Sequence, residues 1–414
     1  MSAKVKQRSE RISADHYASP EVLDQELRQV FGRAWILACP LVYLAQAGDA
    51  YPITVGREPI TLVCDGEGTI RAMSNVCRHR GRQIVTHPRN VASLKCWFHG
   101  FEWHHDGSVR HIPDREDFEC TDEELVLPRI RCETWGNFAW INLDPDAEPL
   151  VEYLGEVAPL LEAYRLDEYQ LSEDIIVEWD CNWKIGCDAF HEGYHGPVTH
   201  PQLQGVLDDS PDMPIDLYEL HSRAIYRMGA PCKRIPEEER QQGNPFLQVL
   251  AAEAGVDMEA YKGHIDDIRG AIQVGTRKLL DGRGCDVSML SDDQMTDDHH
   301  YFLFPNLTLN MFAANFSTFR YFPHPTDPAK MYFWAQQFVR TGPDEEPLKI
   351  PASVHGHGTE FKFESEVYNQ DASHMPWLQT GIRSQHHPGM MFAKQERRIP
   401  HFYNVLDDYI DGRR

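Results

Sequence analysis

The chain has 414 residues, 42% hydrophobic, 11% aromatic and 25% charged, which supplies the core of two domains and excludes general disorder. Lys and Arg number 40 against 64 Asp and Glu, a net charge of −24. That field repels phosphate backbones and anionic lipid, so no nucleic-acid partner and no membrane association are expected. No apolar run approaches the roughly 18 residues of a membrane span, and no apolar core follows the basic N-terminal residues as in a signal peptide, so a cytoplasmic chain is expected.

In chain order, Ser19-Pro20-Glu21 is a helix start, and Val22, Leu23, Leu27, Val30 and Phe31 recur at helical spacing, which predicts an amphipathic helix over 20–31. From about Ala50 short β-rich runs (Tyr51–Val55, Ile60–Cys64, Thr69–Met73, Phe138–Leu143) alternate with turn residues and close near Asp144–Pro149. Helical patterns follow at Leu150–Tyr164 and Trp183–Tyr194, then a polar, helix-leaning stretch over 210–298. Strand-like segments return at Tyr301–Leu309, Ser317–Phe322 and Met331–Val339, before a helical region from about Thr359. The order predicts an α+β chain with an N-terminal helical segment (1–46), a small all-β domain (47–149) and a larger α+β domain (150–414).

The β module holds Asn75-Val-Cys77-Arg-His79-Arg-Gly81 and Lys95-Cys96-Trp-Phe-His99-Gly100. Each half offers one thiolate and one imidazole on a short loop, with a glycine behind to let the backbone turn. Two thiolates and two imidazoles suit either tetrahedral zinc or a two-iron, two-sulfide cluster with both histidines on one iron. Arg78, Arg80 and Arg82 interleave with the first loop, as a solvated basic face or as a docking patch for an acidic electron donor. With 10 Cys and 21 His in a chain expected to stay reduced, metal is the first place to look.

The second constellation lies in Cys181 to His200. Read as a helix up to Gly196-Pro197, it puts Asp188, Glu192 and His195 on one face, and the break lets His200 swing back beside His195. Two imidazoles and one carboxylate leave open positions on Fe(II) for O₂. Asp371 is the candidate carboxylate, with Glu364 and Glu366 competing on spacing.

These residues together resemble the Rieske non-haem iron oxygenases, large (α) subunit. C-x-H…C-x₂-H matches its cluster signature, Asn182-Trp-Lys through His195-x₄-His200-Pro201 its mononuclear iron motif, and Gln370-Asp371 with Gln379-x-Gly381 the stretch holding its third iron ligand. The resemblance implies a Rieske [2Fe-2S] domain on a helix-grip (START-like) catalytic domain. Cys77 and Cys96 would bind one cluster iron and His79 and His99 the other, with His195, His200 and Asp371 on the catalytic Fe(II). Glu192 matches the acidic residue that bridges a cluster histidine of a neighbouring subunit to an iron-bound histidine, and Asp188 falls where several members carry Asn. Trp97 stands where Pro is frequent, and Glu192 where ring dioxygenases carry Asp. A head-to-tail homotrimer is also implied, with electrons crossing between subunits; a small β subunit is left open.

There is no G-x-G-x-x-G after a strand and no C-x₄-C-x₂-C motif, so NAD(P)H is expected to act only through a separate reductase, with or without a ferredoxin between. The expected activity is O₂-dependent hydroxylation of a small aromatic or apolar molecule. Oxidative N- or O-demethylation and quaternary-amine mono-oxygenation are alternatives, and a plain electron carrier or zinc-binding protein is a remote one. Phe190, Phe312, Phe316 and Phe319 are pocket candidates, and 210–298 the candidate lid or wall.

Overall fold

The structure, a computed structural model, describes residues 11–208 and 210–414. The chain forms two compact units: one runs from Asp24 to Tyr153, the other holds Leu154–Arg414 and the N-terminal stretch up to Leu23. The expected helical segment 1–46 therefore divides. Residues 1–10 lie outside the described residues, the stretch to Leu23 joins the larger unit, and residues from Asp24 onward join the smaller.

The smaller unit is built on strands β1 (Ile36–Pro40), β2 (Asp49–Val55), β3 (Glu58–Cys64), β4 (Ile70–Ser74), β5 (Arg89–Asn90), β6 (Leu94–Lys95), β7 (Glu102–Trp103), β8 (Val109–His111), β9 (Arg129–Trp135) and β10 (Phe138–Asn142). They make an antiparallel seven-stranded sheet in the order β1-β10-β9-β4-β3-β2-β5 and a small β6-β7-β8 sheet. Val55 pairs with Glu58, so Gly56-Arg57 is a two-residue hairpin loop, and Gly56 takes the positive φ of 61° that its first position demands. β1 falls inside the segment expected to be helical. Its five residues are all buried, a run without helical periodicity that suits a covered strand. One apolar core gathers Val63, Met73, Leu94, Phe101, Trp103 and Leu127 around Cys77 and Cys96. The Trp103 indole N–H is satisfied within it by the Leu125 carbonyl at 2.8 Å.

The larger unit carries β11 (Tyr169–Trp179), β12 (Leu207–Asp208), β13 (Ile215–Leu217), β14 (Ser222–Met228), β15 (Asp298–Leu303), β16 (Leu307–Met311), β17 (Asn315–Pro323), β18 (Met331–Arg340) and β19 (Val354–His357). The sheet order is β12-β14-β15-β16-β17-β18-β11-β19, with β13 on β14; only β11–β19 is parallel. The stretch 210–298 is thus not helical throughout. It opens with β13 and β14, where Ala224 and Tyr226 alternate inward as in a half-buried strand, and only then turns helical at Pro245–Glu253 and Ile268–Gly282. Helix Trp183–Ala189 packs on β17 and β18, close enough that a Cβ at Gly186 would sit 2.7 Å from Met331 Sδ. Among the described residues no helix is long and apolar enough to cross a membrane.

A buried clamp fixes the start of β15. The Arg269 guanidinium donates to both Asp297 carboxylate oxygens at 2.8 and 2.9 Å and to Asp293 at 2.8 Å. Removing Arg269 leaves the Asp297 carboxylate buried without its cation. Arg269→Met is expected to destabilise the unit by about 3 kcal/mol, read from the midpoint of denaturant unfolding, while Asp293→Ala, whose carboxylate is exposed, costs under about 1 kcal/mol.

Candidate metal centres and active site

The two cysteine loops have the same backbone design. Cys77 N–H donates to Arg82 C=O at 2.9 Å and Gly81 N–H returns to Cys77 C=O at 3.0 Å. Cys96 N–H donates to Phe101 C=O at 2.8 Å and Gly100 N–H returns to Cys96 C=O at 3.0 Å. Gly81 and Gly100 sit at φ of 74° and 83°, the left-handed region that closes each loop. Asn75 braces the first loop, its carboxamide donating to Val85 C=O at 2.7 Å and accepting from Val85 N–H at 2.8 Å. Both thiols are buried, whereas His79 is half-buried and His99 exposed. The sulfurs neighbour each other, and burial with the adjacent Cys96 raises the Cys77 thiol. The imidazoles also pair, with ring centroids 4.6 Å apart, and His79 stacks on Phe101 at 4.9 Å. Burial, the His99 ring and Arg80 lower the His79 pKa, and its Nδ1 is buried without a hydrogen-bond partner among the described residues.

In the larger unit His195, His200 and Asp371 bring one ligand atom each within 4.8 Å of one another. The helix expected to run to Gly196 stops at Ala189, so Asp188, Glu192 and His195 do not share a helical face. The reason is local: the Glu192 carboxylate turns back to accept the backbone N–H groups of Tyr194 and His195, the latter at 3.2 Å, and so competes with the helix. Gly193 allows the turn to lie against Tyr226, whose ring would be 2.7 Å from a Cβ. Gly196-Pro197 then starts a helix rather than ending one. Gly196–Thr199 is a single turn with Pro197 in its first positions, flanked by His195 before and His200 after.

That turn brings the two rings to a centroid distance of 5.1 Å. Glu192 Oε1 lies 2.7 Å from His195 Nδ1, and Gln370 Oε1 lies 2.8 Å from His200 Nδ1. Both Nε2 atoms thereby face Asp371 Oδ1, at 3.5 and 3.0 Å. Burial opposes charge on His195, but the hydrogen bond and charge of Glu192 and the charge of Asp371 outweigh it and raise its pKa. Asp371 sits on helix Glu366–Ile382, which Gln379 ties to the other side by accepting Asn182 N–H at 2.6 Å. Glu364 and Glu366 are exposed and stand apart from the trio.

Residues 34–127 match the Rieske [2Fe-2S] domain and residues 166–412 the ring hydroxylating alpha subunit (catalytic domain). The chain belongs to the ring-hydroxylating alpha-subunit family. Among its relatives, the biphenyl 2,3-dioxygenase subunit alpha of Rhodococcus jostii (strain RHA1) is 30% identical over 232 residues, covering 52% of this chain and 48% of that protein. The glycine betaine monooxygenase oxygenase subunit of Pseudomonas aeruginosa (strain UCBPP-PA14) is 23% identical over 192 residues, covering 46% of this chain and 45% of that protein. The chain thus spans about half the length of the curated relatives it matches. The fold is shared with the quaternary ammonium Rieske monooxygenase CntA in complex with L-carnitine (TM-score 0.70, 17% identity, covering 96% of this chain and 95% of that one). It is shared equally with naphthalene 1,2-dioxygenase with indole bound (TM-score 0.70, 17% identity, covering 98% and 93%).

The Rieske domain of this family member indicates a [2Fe-2S] cluster and its catalytic domain a mononuclear iron. The donor sets fit both groups. Thiol beside thiol and imidazole beside imidazole, with an orphaned imidazole nitrogen, suit two irons ligated differently. The His₂–carboxylate trio suits a metal with open positions.

A cavity of about 250 Å³ adjoins the trio. Phe190, Phe312 and Phe319 line it as expected; Phe316 does not, being buried in a stack on Phe338 at 4.4 Å. Asp188 lies outside both trio and cavity lining, buried, with its Oδ2 accepting from Tyr17 OH at 2.8 Å and Tyr403 OH at 3.1 Å. The sequence reading missed Gln370 as the partner of His200, for which adjacency to Asp371 was the only signal. It also missed Asp298 and Asn310 in the cavity wall, which only strand register reveals.

Burial raises the Asp188 carboxyl to about 7 against the two tyrosine hydrogen bonds that lower it. Between its unfolded value and about 7 the folded chain holds a proton that the unfolded chain has released, so this group's contribution to stability falls as pH rises through that window. In the metal-free chain, Asp188→Asn is expected to flatten the decline in stability from pH 4 to pH 7 by about 1–3 kcal/mol, measured by urea unfolding at both ends.

Proposed function

We propose that this chain is the terminal oxygenase component of a multicomponent system, hydroxylating a small ring-bearing or apolar molecule with O₂ and electrons from an NAD(P)H-dependent reductase. The observation that carries the reading is the tethering of both imidazoles by their Nδ1 atoms, which leaves both Nε2 atoms directed at one carboxylate. Cys77, Cys96, His79 and His99 are the cluster ligands in this reading, and His195, His200 and Asp371 the iron ligands. When bound, the cluster supplies single electrons and the mononuclear iron activates O₂.

The protein's own work is positioning. Glu192 accepts a hydrogen bond from Nδ1–H of His195, which fixes the tautomer and leaves the Nε2 lone pair free to hold a metal; Gln370 does the same for His200. Phe190, Phe312 and Phe319 exclude water from the adjoining cavity. Asp188 acts from behind, anchoring Tyr17 and Tyr403 under the helix that leads to the histidines. The partner reading includes a homotrimer and a reductase, with or without a ferredoxin. The exposed Trp97 and Phe98 and the cations of Arg80 and Lys95 stacked over them make the cluster loops a basic, aromatic docking face. Oxygenation of a quaternary amine is the second reading, favoured by Glu192 and by the likeness to CntA and to glycine betaine monooxygenase.

Anaerobically purified protein is expected to hold about three irons and two acid-labile sulfides per chain and to give a low-average-g EPR signal on dithionite reduction. Cys77→Ser should lose sulfide and signal while keeping the single iron. Zinc without sulfide would overturn the redox reading. Glu192→Gln is expected to retain all the iron yet lower substrate-coupled O₂ consumption at least about 100-fold, because a mutated partner of a metal-bound histidine typically costs ~10–100-fold and electron entry is lost besides. Full turnover with full iron would remove Glu192 from that role.

A further inference from the structure

The cavity beside the trio has a polar wall that the proposed metal chemistry leaves unused. Tyr226 on β14 pairs with Asp298 on β15, and His300, Asn310 and Ser317 fall in one register row across β15, β16 and β17. All five line the cavity, together with apolar residues that include Phe190 and, next inward on β17, Phe319. Most of the wall is internally satisfied. Arg398 donates to His300 Nδ1 at 3.0 Å, and Asn310 donates to Ser317 Oγ at 3.2 Å. Asp298 differs. Its Oδ1 is buried with no hydrogen-bond partner among the described residues, although the residue borders the cavity.

A carboxyl that borders a ligand-sized space with one oxygen unmet is costly to hold there unless a ligand hydrogen-bonds the group. Burial pushes this carboxyl up to about 8, with Arg398 drawing it down, so it exchanges its proton near neutrality. A hydroxyl group, which both gives and takes a hydrogen bond, complements the carboxyl in either state. A quaternary ammonium has no N–H to give, and the Arg398 cation already acts on this carboxyl and on Tyr226. The volume of about 250 Å³ lies just below the common range for small-molecule sites and restricts the ligand to a compact body.

We propose that Asp298 is the specificity anchor of this cavity, and that the substrate is a compact apolar molecule bearing a neutral hydroxyl or amino group that hydrogen-bonds the Asp298 carboxyl. The inference rests on the reading of the cavity as the oxygenase substrate site. It separates this chain from enzymes acting on unsubstituted hydrocarbons and from those acting on permanent cations.

The test is calorimetric binding to the iron-loaded enzyme, anaerobic and without an electron donor so that nothing turns over. Three probes are used: toluene, benzyl alcohol and phenyltrimethylammonium. Benzyl alcohol is expected to bind wild type about tenfold or more tightly than toluene, and Asp298→Leu to abolish or invert that preference. Asp298→Asn, of the same shape, should keep part of it; the wild-type comparison needs no variant to fold. Equal binding of toluene and benzyl alcohol overturns the anchor but leaves the cavity as a substrate site. Tightest binding of phenyltrimethylammonium, lost in Asp298→Leu, overturns the neutral donor. Failure of all three to bind overturns the proposal together with the assignment of this cavity to substrate.

Discussion

One turn of helix between His195 and His200 is the constraint on which the catalytic unit depends. The turn holds because His200 N–H reaches Gly196 C=O at 2.8 Å and Pro197 needs no hydrogen bond where it stands. Two rings on so short a segment would point anywhere unless their Nδ1 atoms were held. Glu192 and Gln370 hold them, from opposite sides in sequence, and the carboxylate that closes the trio comes from the same helix as Gln370. The contact of Gln379 with Asn182 then ties that helix to the segment leading into the histidines. The sheet is the remaining wall.

The proposed metal donors are legible because such chemistry tolerates few residue types at few spacings. Cys77, His79, Cys96 and His99 stand on two loops alike enough to read as a pair, and the trio of His195, His200 and Asp371 was assembled from spacing and resemblance. The path of the chain between donors was much less legible. The run from Trp183 keeps helical spacing beyond Ala189, but a carboxylate that takes the backbone N–H of the next residues is invisible to periodicity. β13 and β14 were hidden by the polar residues and prolines around them, and β1 by its length and lack of alternation. Gln370 and Asp298 carry no sequence signature. One acquires meaning from the ring it faces, the other from a strand pairing formed by residues far along the chain.

The sheet of the larger unit does two jobs on one face. Side chains alternate along each strand, so neighbouring strands in register present rows of side chains on one face. Asn310 and Ser317 belong to one row, Phe319 to the next inward-facing position on β17. Recognition and water exclusion are therefore separated by a single pleat.

The equivalence of the two cysteine loops has a consequence for how this chain can change. Each loop is closed by main-chain hydrogen bonds from its cysteine and by a glycine in a left-handed conformation. The residues between cysteine and histidine therefore contribute nothing to loop closure. Trp97 and Phe98, exposed on the second loop, take no part in the backbone hydrogen bonds that close it, although the Phe98 ring lies 4.0 Å from that of His99. The backbone cradle of the thiols is thus independent of the outermost side chains, while the imidazole side is in contact with one of them. Substitution of Trp97 can therefore change what that surface presents while the backbone cradle of the thiols stays as it is.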